Sequence, residues 1–265
     1  MMTKAFFLAL PLCLMLAVSA FGETLSLSEM SSAAEASEEA PVSEETDRAP
    51  VSTENAARTA LIDDIIATAK KTWAETGGKA QRAQNSGDIY VCKNFTVYLF
   101  RQNRDGYRMA EYPDVPLVIP NNLKKADCAP YAYGICWQDV AASEGNPFEV
   151  AASFRYDSSL GKEKNRELAR AFMQQVQRGD YFQMSAKYYY GTGAHSLVFI
   201  SDYDPETDTV HWTDSNMKGY SENGVRYAYV QYDAEKEIDW FVDAFCQNKR
   251  GATLYRLRSD IISVR

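Results

Sequence analysis

The chain has 265 residues, of which 46% are hydrophobic and 24% are charged. These proportions are ordinary for a soluble globular protein and exclude collagen, a coiled coil and a wholly disordered chain. The formal net charge of -8 arises in residues 23–57, because from residue 58 onward 26 Lys and Arg nearly balance 27 Asp and Glu. A near-neutral body without a basic run excludes nucleic acid as the expected partner.

The first 22 residues have the pattern of an export signal peptide. Lys4 precedes an apolar run over residues 5–18, and Ser19, Ala20 and Gly22 supply the small residues that a signal peptidase requires. The run is too short to span a membrane. We therefore expect a secreted, extracytoplasmic protein with no membrane association after signal cleavage.

Residues 23–57 differ in composition from everything that follows. They are rich in Ser, Glu, Ala and Pro and contain no aromatic residue, so they cannot bury enough apolar surface to fold alone. We predict a disordered acidic linker here. Apolar periodicity begins after it, which predicts one folded domain over residues 58–265.

Four segments have the apolar spacing of amphipathic helices. They cover residues 61–73, a stretch that begins near Cys92, residues 162–177 and residues 238–246. In the second segment Phe95 and Leu99 are one turn apart and should face the core. Leu168, Phe172 and Val176 recur in the same way in the third segment.

Four other segments have the composition of β-strands, because they are rich in β-branched and aromatic residues. They cover residues 180–186, 195–203, 208–214 and 252–258. The sequence Asp-Pro-Glu-Thr at 204–207 is typical of a turn and joins the second strand to the third as a hairpin. The elements together predict an α+β fold, in which an antiparallel β-sheet packs against N-terminal helices.

Cysteine is the residue type that offers chemistry in this sequence. Only two histidines are present, His195 and His211, and no Cys, His or carboxylate cluster has the spacing of a zinc or calcium site. We expect neither a metal nor another cofactor. Cys92 stands at the start of a predicted helix, where unpaired backbone N–H groups and the helix dipole favour the thiolate, which is the nucleophilic form.

The predicted hairpin brings a histidine and an acid together. If residues 204–207 form the turn, Tyr203 faces Asp208, His195 lies opposite Asn216, and Asp214 lies on the diagonal. His195, Asp214 and Asn216 then project from the same face of the sheet, whereas His211 projects from the other. His195 is therefore the candidate base, and either Asp214 or Asn216 would orient it.

Several segments resemble motifs of the CHAP and NlpC-type cysteine peptidases. "VCKNFTVYLF" is similar to their nucleophile helix, "VQRGDYFQM" to their Gly-Asp strand entry, "AHSLVFISDYD" to their His strand, and "VHWTDSNM" to the strand that ends in an acid-x-Asn pair. The resemblance covers roughly residues 61–216. It implies a papain-like fold, here with a helical insertion between about residues 106 and 177, because 103 positions separate the cysteine from the histidine.

The resemblance also implies an activity. Cys92 would attack an amide carbonyl, His195 would move the proton, Asp214 would orient the imidazole, and Asn216 matches a second polar position of the CHAP motif. The expected substrate is a peptide or a stem peptide of bacterial cell-wall peptidoglycan, and no cofactor is implied.

Two alternatives remain open from the sequence. Cys128 is a rival nucleophile, since only 67 positions separate it from His195, although Pro130 and Gly134 make a poor helix start after it. The four cysteines after the signal segment could instead form two disulfides in a secreted binding domain without catalysis. If Cys92 is catalytic, at most one disulfide forms among Cys128, Cys136 and Cys246, and Cys246 is the natural buried thiol.

Overall fold

The structure is a computed structural model that describes residues 53–84, 88–118, 145–184, 194–220, 223–248 and 250–265. The chain divides into two units, residues 1–48 and 49–265, and the description that follows concerns the second. The predicted signal peptide, most of the predicted linker, Cys128 and Cys136 lie outside the described residues. In the described part, no helix is both long enough and apolar enough to cross a membrane.

The described residues form four α-helices and ten β-strands. The helices are α1 Thr53–Thr76, α2 Cys92–Asn103, α3 Lys162–Met173 and α4 Ile238–Asn248. The strands are β1 Gln81–Arg82, β2 Tyr107–Met109, β3 Tyr112–Pro116, β4 Phe148–Arg155, β5 Tyr181–Met184, β6 His195–Phe199, β7 Thr209–Tyr220, β8 Arg226–Glu237, β9 Gly251–Leu257 and β10 Ile261–Ser263.

Seven strands make the main sheet, in the order β1-β8-β7-β6-β5-β9-β4. Every neighbouring pair in it is antiparallel. A small second sheet has the order β10-β2-β3. The α+β class with an antiparallel sheet, as predicted from the sequence, is confirmed.

The main sheet is buried on both faces, because successive residues of a strand point in opposite directions. Tyr181 and Val198 face a core formed with α1 and α2, to which Leu61 and Phe95 contribute. The next positions face the opposite way, into a second core formed with α3 and α4. Its largest members include Phe172, Phe182, Leu197, Trp212, Phe241 and Phe245. Helices therefore cover both sides of the central strands.

The hairpin register that the sequence predicts is confirmed. Val198 pairs with Thr213 and Phe199 with Trp212, which is the predicted alignment. The turn itself differs, since the closing pair is Asp204 with Thr209. The pairing at the turn is shifted by two residues relative to the pairing of the strands. The backbone of residues 201–203 is irregular and accommodates this shift.

Two predicted helix boundaries are wrong. α1 begins at Thr53, inside the segment assigned to the linker. α3 ends at Met173 rather than near residue 177, and Leu168 is exposed because the buried face of α3 carries Asn165, Ala169 and Phe172 instead. Gly179 does not end α3 directly. It lies in the turn before β5 with a φ of 88°, a conformation that glycine adopts without strain.

The resemblance implies a helical insertion between about residues 106 and 177, and in the described parts of this segment that prediction is wrong. It contributes β2, β3 and β4 as well as α3. β4 pairs with β9 at the edge of the main sheet, so its conformation depends on a partner about 100 positions away. β8 and β10 were not predicted either.

A buried ion pair joins the turn before β5 to the adjacent strand β9. The side chain of Asp180 is fully buried, and its two carboxylate oxygens accept from Nε and Nη2 of Arg256 at 2.8 and 2.7 Å. Oδ2 also accepts from the backbone N–H of Gln177 at 2.9 Å. The bidentate geometry satisfies the buried charge and fixes the turn that precedes β5.

Replacing Arg256 by Met should lower the free energy of unfolding by about 3–5 kcal/mol, because it leaves the Asp180 carboxylate buried and unpaired. The matched control is Arg178→Met, which removes an exposed ion pair with Asp63 and should cost less than about 1 kcal/mol. Urea unfolding at pH 7 measures both losses. Similar losses in the two variants would contradict the structural role assigned to the buried pair.

Candidate active site

Cys92 is the first residue of α2, as the sequence predicts. Val91 before it is extended, with φ -72° and ψ 132°, and Phe95 and Leu99 anchor the helix in the core with no exposed surface. A hydrogen bond of 2.7 Å from the hydroxyl of Ser215 to the carbonyl of Tyr90 ties this helix start to β7. The thiol is therefore held at the positive end of a helix dipole, in a fixed position relative to the sheet.

The sulfur lies where β6 and β7 separate. The described pairs of the two strands are at Val198 and Phe199 of β6, so the strands are no longer paired at the His195 end. Sγ of Cys92 lies 3.9 Å from the carbonyl oxygen of Ala194 and interacts with the backbone N–H of Ser196. Polar backbone groups of β6 therefore face the sulfur.

His195 and Asp214 form a hydrogen-bonded pair across β6 and β7. Nε2 of His195 lies 2.7 Å from Oδ2 of Asp214, and the indole N–H of Trp212 donates to the same oxygen at 3.2 Å. Asp214 is 2% exposed, whereas Cys92 and His195 are half-buried. Since Nε2 is occupied by the carboxylate, Nδ1 is the imidazole nitrogen that remains for the thiol of Cys92.

The charged forms of the Cys92 thiol and the His195 imidazole stabilise each other. Burial by itself would raise the pKa of the Cys92 thiol, but hydrogen bonding and attraction from His195 outweigh it and lower that pKa. Burial likewise opposes the charged imidazole, yet the hydrogen bonds to Asp214 and Cys92 raise the pKa of His195 to about 10. Both shifts favour a thiolate and imidazolium pair beside the buried carboxylate of Asp214.

Of the two candidates for orienting His195, the structure places Asp214 on the imidazole. Asn216 projects from the same face of β7 and lines a cavity that His195 also lines, but the hydrogen bond to Nε2 comes from Asp214. His211 is on the other face of β7, where Nδ1 lies 2.7 Å from Oδ1 of Asp233. The structure therefore brings Cys92, His195 and Asp214 together and keeps His211 apart.

Sequence patterns did not point to two residues that position His195. The amide of Gln183 donates to the carbonyl of His195 at 3.2 Å, and its oxygen accepts from the hydroxyl of Ser196 at 2.5 Å. Both side chains are buried. They hold the backbone carbonyl of His195 and the residue that follows it. The polar residue at a core-facing position of β5 is the signal that could have identified Gln183.

Cys92 and Cys246 are free thiols. A pairing of all four cysteines in two disulfides is therefore not the arrangement that the structure adopts. Cys246 is buried in the core beside α3, and burial raises the pKa of its thiol, which agrees with the prediction that it is a buried structural cysteine. No group of three or more His, Cys, Asp or Glu side chains within the described ranges could hold a metal ion.

Comparison with known proteins finds no match, either to a family model, to a curated protein or to a solved structure.

Cys92 should react with iodoacetamide faster at neutral pH than an ordinary thiol, because the reactive thiolate persists below the usual pKa of about 8.5. Asp214→Asn should shift the midpoint of its pH–rate profile upward, since the uncharged amide no longer supports the imidazolium. Peptide-level mass spectrometry measures both profiles, and Cys246 serves as the unreactive internal control. A Cys92 profile that is the same in both proteins would contradict the proposed charge coupling.

Proposed function

We propose that this protein is a cysteine hydrolase that cleaves an amide or peptide bond. The observation that supports it most directly is the contiguous set of Cys92, His195 and Asp214, in which each group sets the charge of the next. Neither a metal nor a cofactor is required for this chemistry.

The first half of the reaction forms an acyl-enzyme. The Cys92 thiolate attacks the carbonyl carbon, a C–S bond forms, and the carbonyl electrons move to the oxygen. The backbone N–H groups at the start of α2, that of Cys92 included, would donate to this oxyanion. When the tetrahedral intermediate collapses, the C–N bond breaks, and the His195 imidazolium gives its proton to the leaving amine.

The second half restores the enzyme. The neutral imidazole of His195 takes a proton from water, and the resulting hydroxide equivalent attacks the thioester carbon. The C–S bond breaks, the carboxylic acid leaves, and the thiolate and imidazolium pair re-forms. Asp214 holds the imidazole in one orientation throughout and stabilises its charged form.

We further propose a papain-like fold of the CHAP and NlpC type and, with it, a secreted enzyme that acts on stem peptides of cell-wall peptidoglycan. The nucleophile at a helix start, the histidine at the start of a central strand and the acid on the next antiparallel strand support the family proposal. The proposed substrate rests on the resemblance of the motifs. The first assay should therefore use both isolated cell wall and short peptides, with product masses as the readout.

Cys92→Ser should lower turnover by roughly 10³-fold or more, because the hydroxyl lacks the nucleophilicity of the thiolate. Cys128→Ser, which tests the rival nucleophile, should leave turnover within a few-fold of the native value. The reverse result would transfer the nucleophile to Cys128. Absence of turnover on both cell wall and peptides in all three proteins would favour a secreted binding domain without catalysis.

Asp214→Asn should lower kcat by at least about 10²-fold, since the amide no longer stabilises the imidazolium. The chain offers a matched control in His211 and Asp233, which form an equally short His–Asp pair at 2.7 Å away from the thiol. Asp233→Asn should leave kcat unchanged. Equal losses in the two variants would show that the assay reports folding rather than catalysis, and circular dichroism checks that possibility.

A further inference from the structure

A cavity of about 160 Å³ lies beside the imidazole of His195, between the sheet and α4. Pockets for drug-sized ligands usually measure about 300–1,000 Å³, whereas an apolar cavity of about 150 Å³ is large enough for a benzene molecule. This cavity therefore matches a single side chain. The thiol of Cys92 is hydrogen bonded to the same imidazole, so a guest in the cavity would lie next to the reacting groups of the proposed hydrolase.

The floor of the cavity presents apolar atoms. Five of its lining residues are buried, and four of these are apolar: Phe182, Leu197, Trp212 and Phe241. The fifth is Asp214, whose Oδ1 is enclosed by the protein and whose Oδ2 is hydrogen bonded to His195 and Trp212. The floor therefore offers no accessible partner to a polar or charged guest, and filling it with apolar atoms is favourable.

The rim of the cavity is polar and accessible. Asn216 and Gln231 are half-buried, and Lys236 is exposed. The two side-chain amides can donate as well as accept, as the N–H and C=O groups of a peptide backbone require. An apolar floor below a polar rim fits an amino-acid residue whose side chain is apolar and whose backbone stays at the surface.

Trp240 completes the rim. It is 52% exposed and stacks on Trp212, with the ring centroids 6.1 Å apart. An apolar guest would cover part of the indole surface of Trp240 that is now in contact with solvent, which adds to the free energy gained on binding. An exposed aromatic side chain next to an apolar cavity is typical of a binding surface.

We propose that this cavity is a specificity subsite for an apolar side chain of a peptide substrate, of the size of Leu, Met or Phe. The side chain packs on the floor and against the ring of Trp240. The neighbouring backbone of the substrate lies at the rim, where the amides of Asn216 and Gln231 can bond it. The proposal deepens the proposed hydrolase function and rests on it where it concerns the substrate.

The charge of the guest decides between side chains of similar size. A lysine side chain would bring its ammonium close to the imidazolium of His195 and to Lys236, and like charges repel. A glutamate side chain would lose water from its carboxylate at a floor that supplies no donor. Alanine fits but leaves most of the cavity unfilled, so it gains little from burial.

Turnover tests the subsite in the active protein. Peptides that carry Leu, Ala, Glu or Lys at each position next to the scissile bond are compared. At one position Leu should be preferred over Ala by about 10-fold to 100-fold in kcat/KM, with Glu and Lys no better than Ala. A preference for Glu at that position would overturn the proposal, because it would show recognition by Lys236 instead of by the apolar floor.

The exposed tryptophans of the chain offer a matched pair of variants. Trp240→Ala removes one wall of the cavity and should reduce the preference for Leu by at least about 5-fold. Trp73→Ala is the control, since Trp73 is 41% exposed and contacts the ring of Tyr232 away from the cavity, and it should preserve the preference. Equal reductions in the two variants would overturn the proposal.

Binding tests the cavity without turnover. In the Cys92→Ser protein, acetyl-leucine methylamide should shift the indole N–H resonances of Trp212 and Trp240, which can be assigned among the four tryptophans by single Trp→Phe changes. The resonance of Trp73 should not move and serves as the internal control. Acetyl-alanine methylamide at the same concentration should give much smaller shifts.

The two experiments separate the two proposals. Indole shifts specific to the leucine amide, without hydrolysis of any peptide, would support the subsite and overturn the hydrolase. Hydrolysis without a preference for Leu, with no specific indole shift, would support the hydrolase and overturn the subsite. Equal shifts with the leucine and alanine amides would also overturn the subsite, because the larger side chain would then gain nothing from the cavity.

Discussion

The hydrogen bond between His195 and Asp214 is the interaction on which the rest of the site depends. Asp214 is almost completely buried, so its charge needs a partner, and the imidazolium supplies one at 2.7 Å. The charged imidazole in turn stabilises the Cys92 thiolate against the cost of burial. Removing either end of this chain of charges would leave the other end in an unfavourable state.

The two-sided burial of the main sheet explains how groups from separate elements meet. α2 packs on one face, and α3 and α4 pack on the other. His195 and Asp214 project from the α4 face, whereas Cys92 comes from the α2 face and reaches them where β6 and β7 separate. At the His195 end of β6, the backbone therefore contacts the sulfur of Cys92 instead of pairing with β7.

Two buried carboxylates, those of Asp180 and Asp214, differ in how their oxygens are hydrogen bonded. Asp180 has a bidentate arginine and a backbone donor, so both of its carboxylate oxygens are hydrogen bonded. Asp214 has donors on one oxygen alone. The bidentate ion pair of Asp180 stabilises the connection of β5 to β9, whereas Asp214 keeps one buried oxygen without a donor next to the imidazole of His195.

The sequence by itself determined the local features of the site. The start of α2 at Cys92 follows from apolar spacing, and the pairing of β6 with β7 follows from a nearby turn and alternating residues, so His195 and Asp214 could be placed on one face. Tertiary structure decided the rest. β4 and β8 are strands because distant partners pair with them, Leu168 is exposed because the apolar residues next to it on α3 fill the core, and the cavity exists because α4 packs over Trp212. Those outcomes depend on contacts between segments far apart in the chain, which no local pattern encodes.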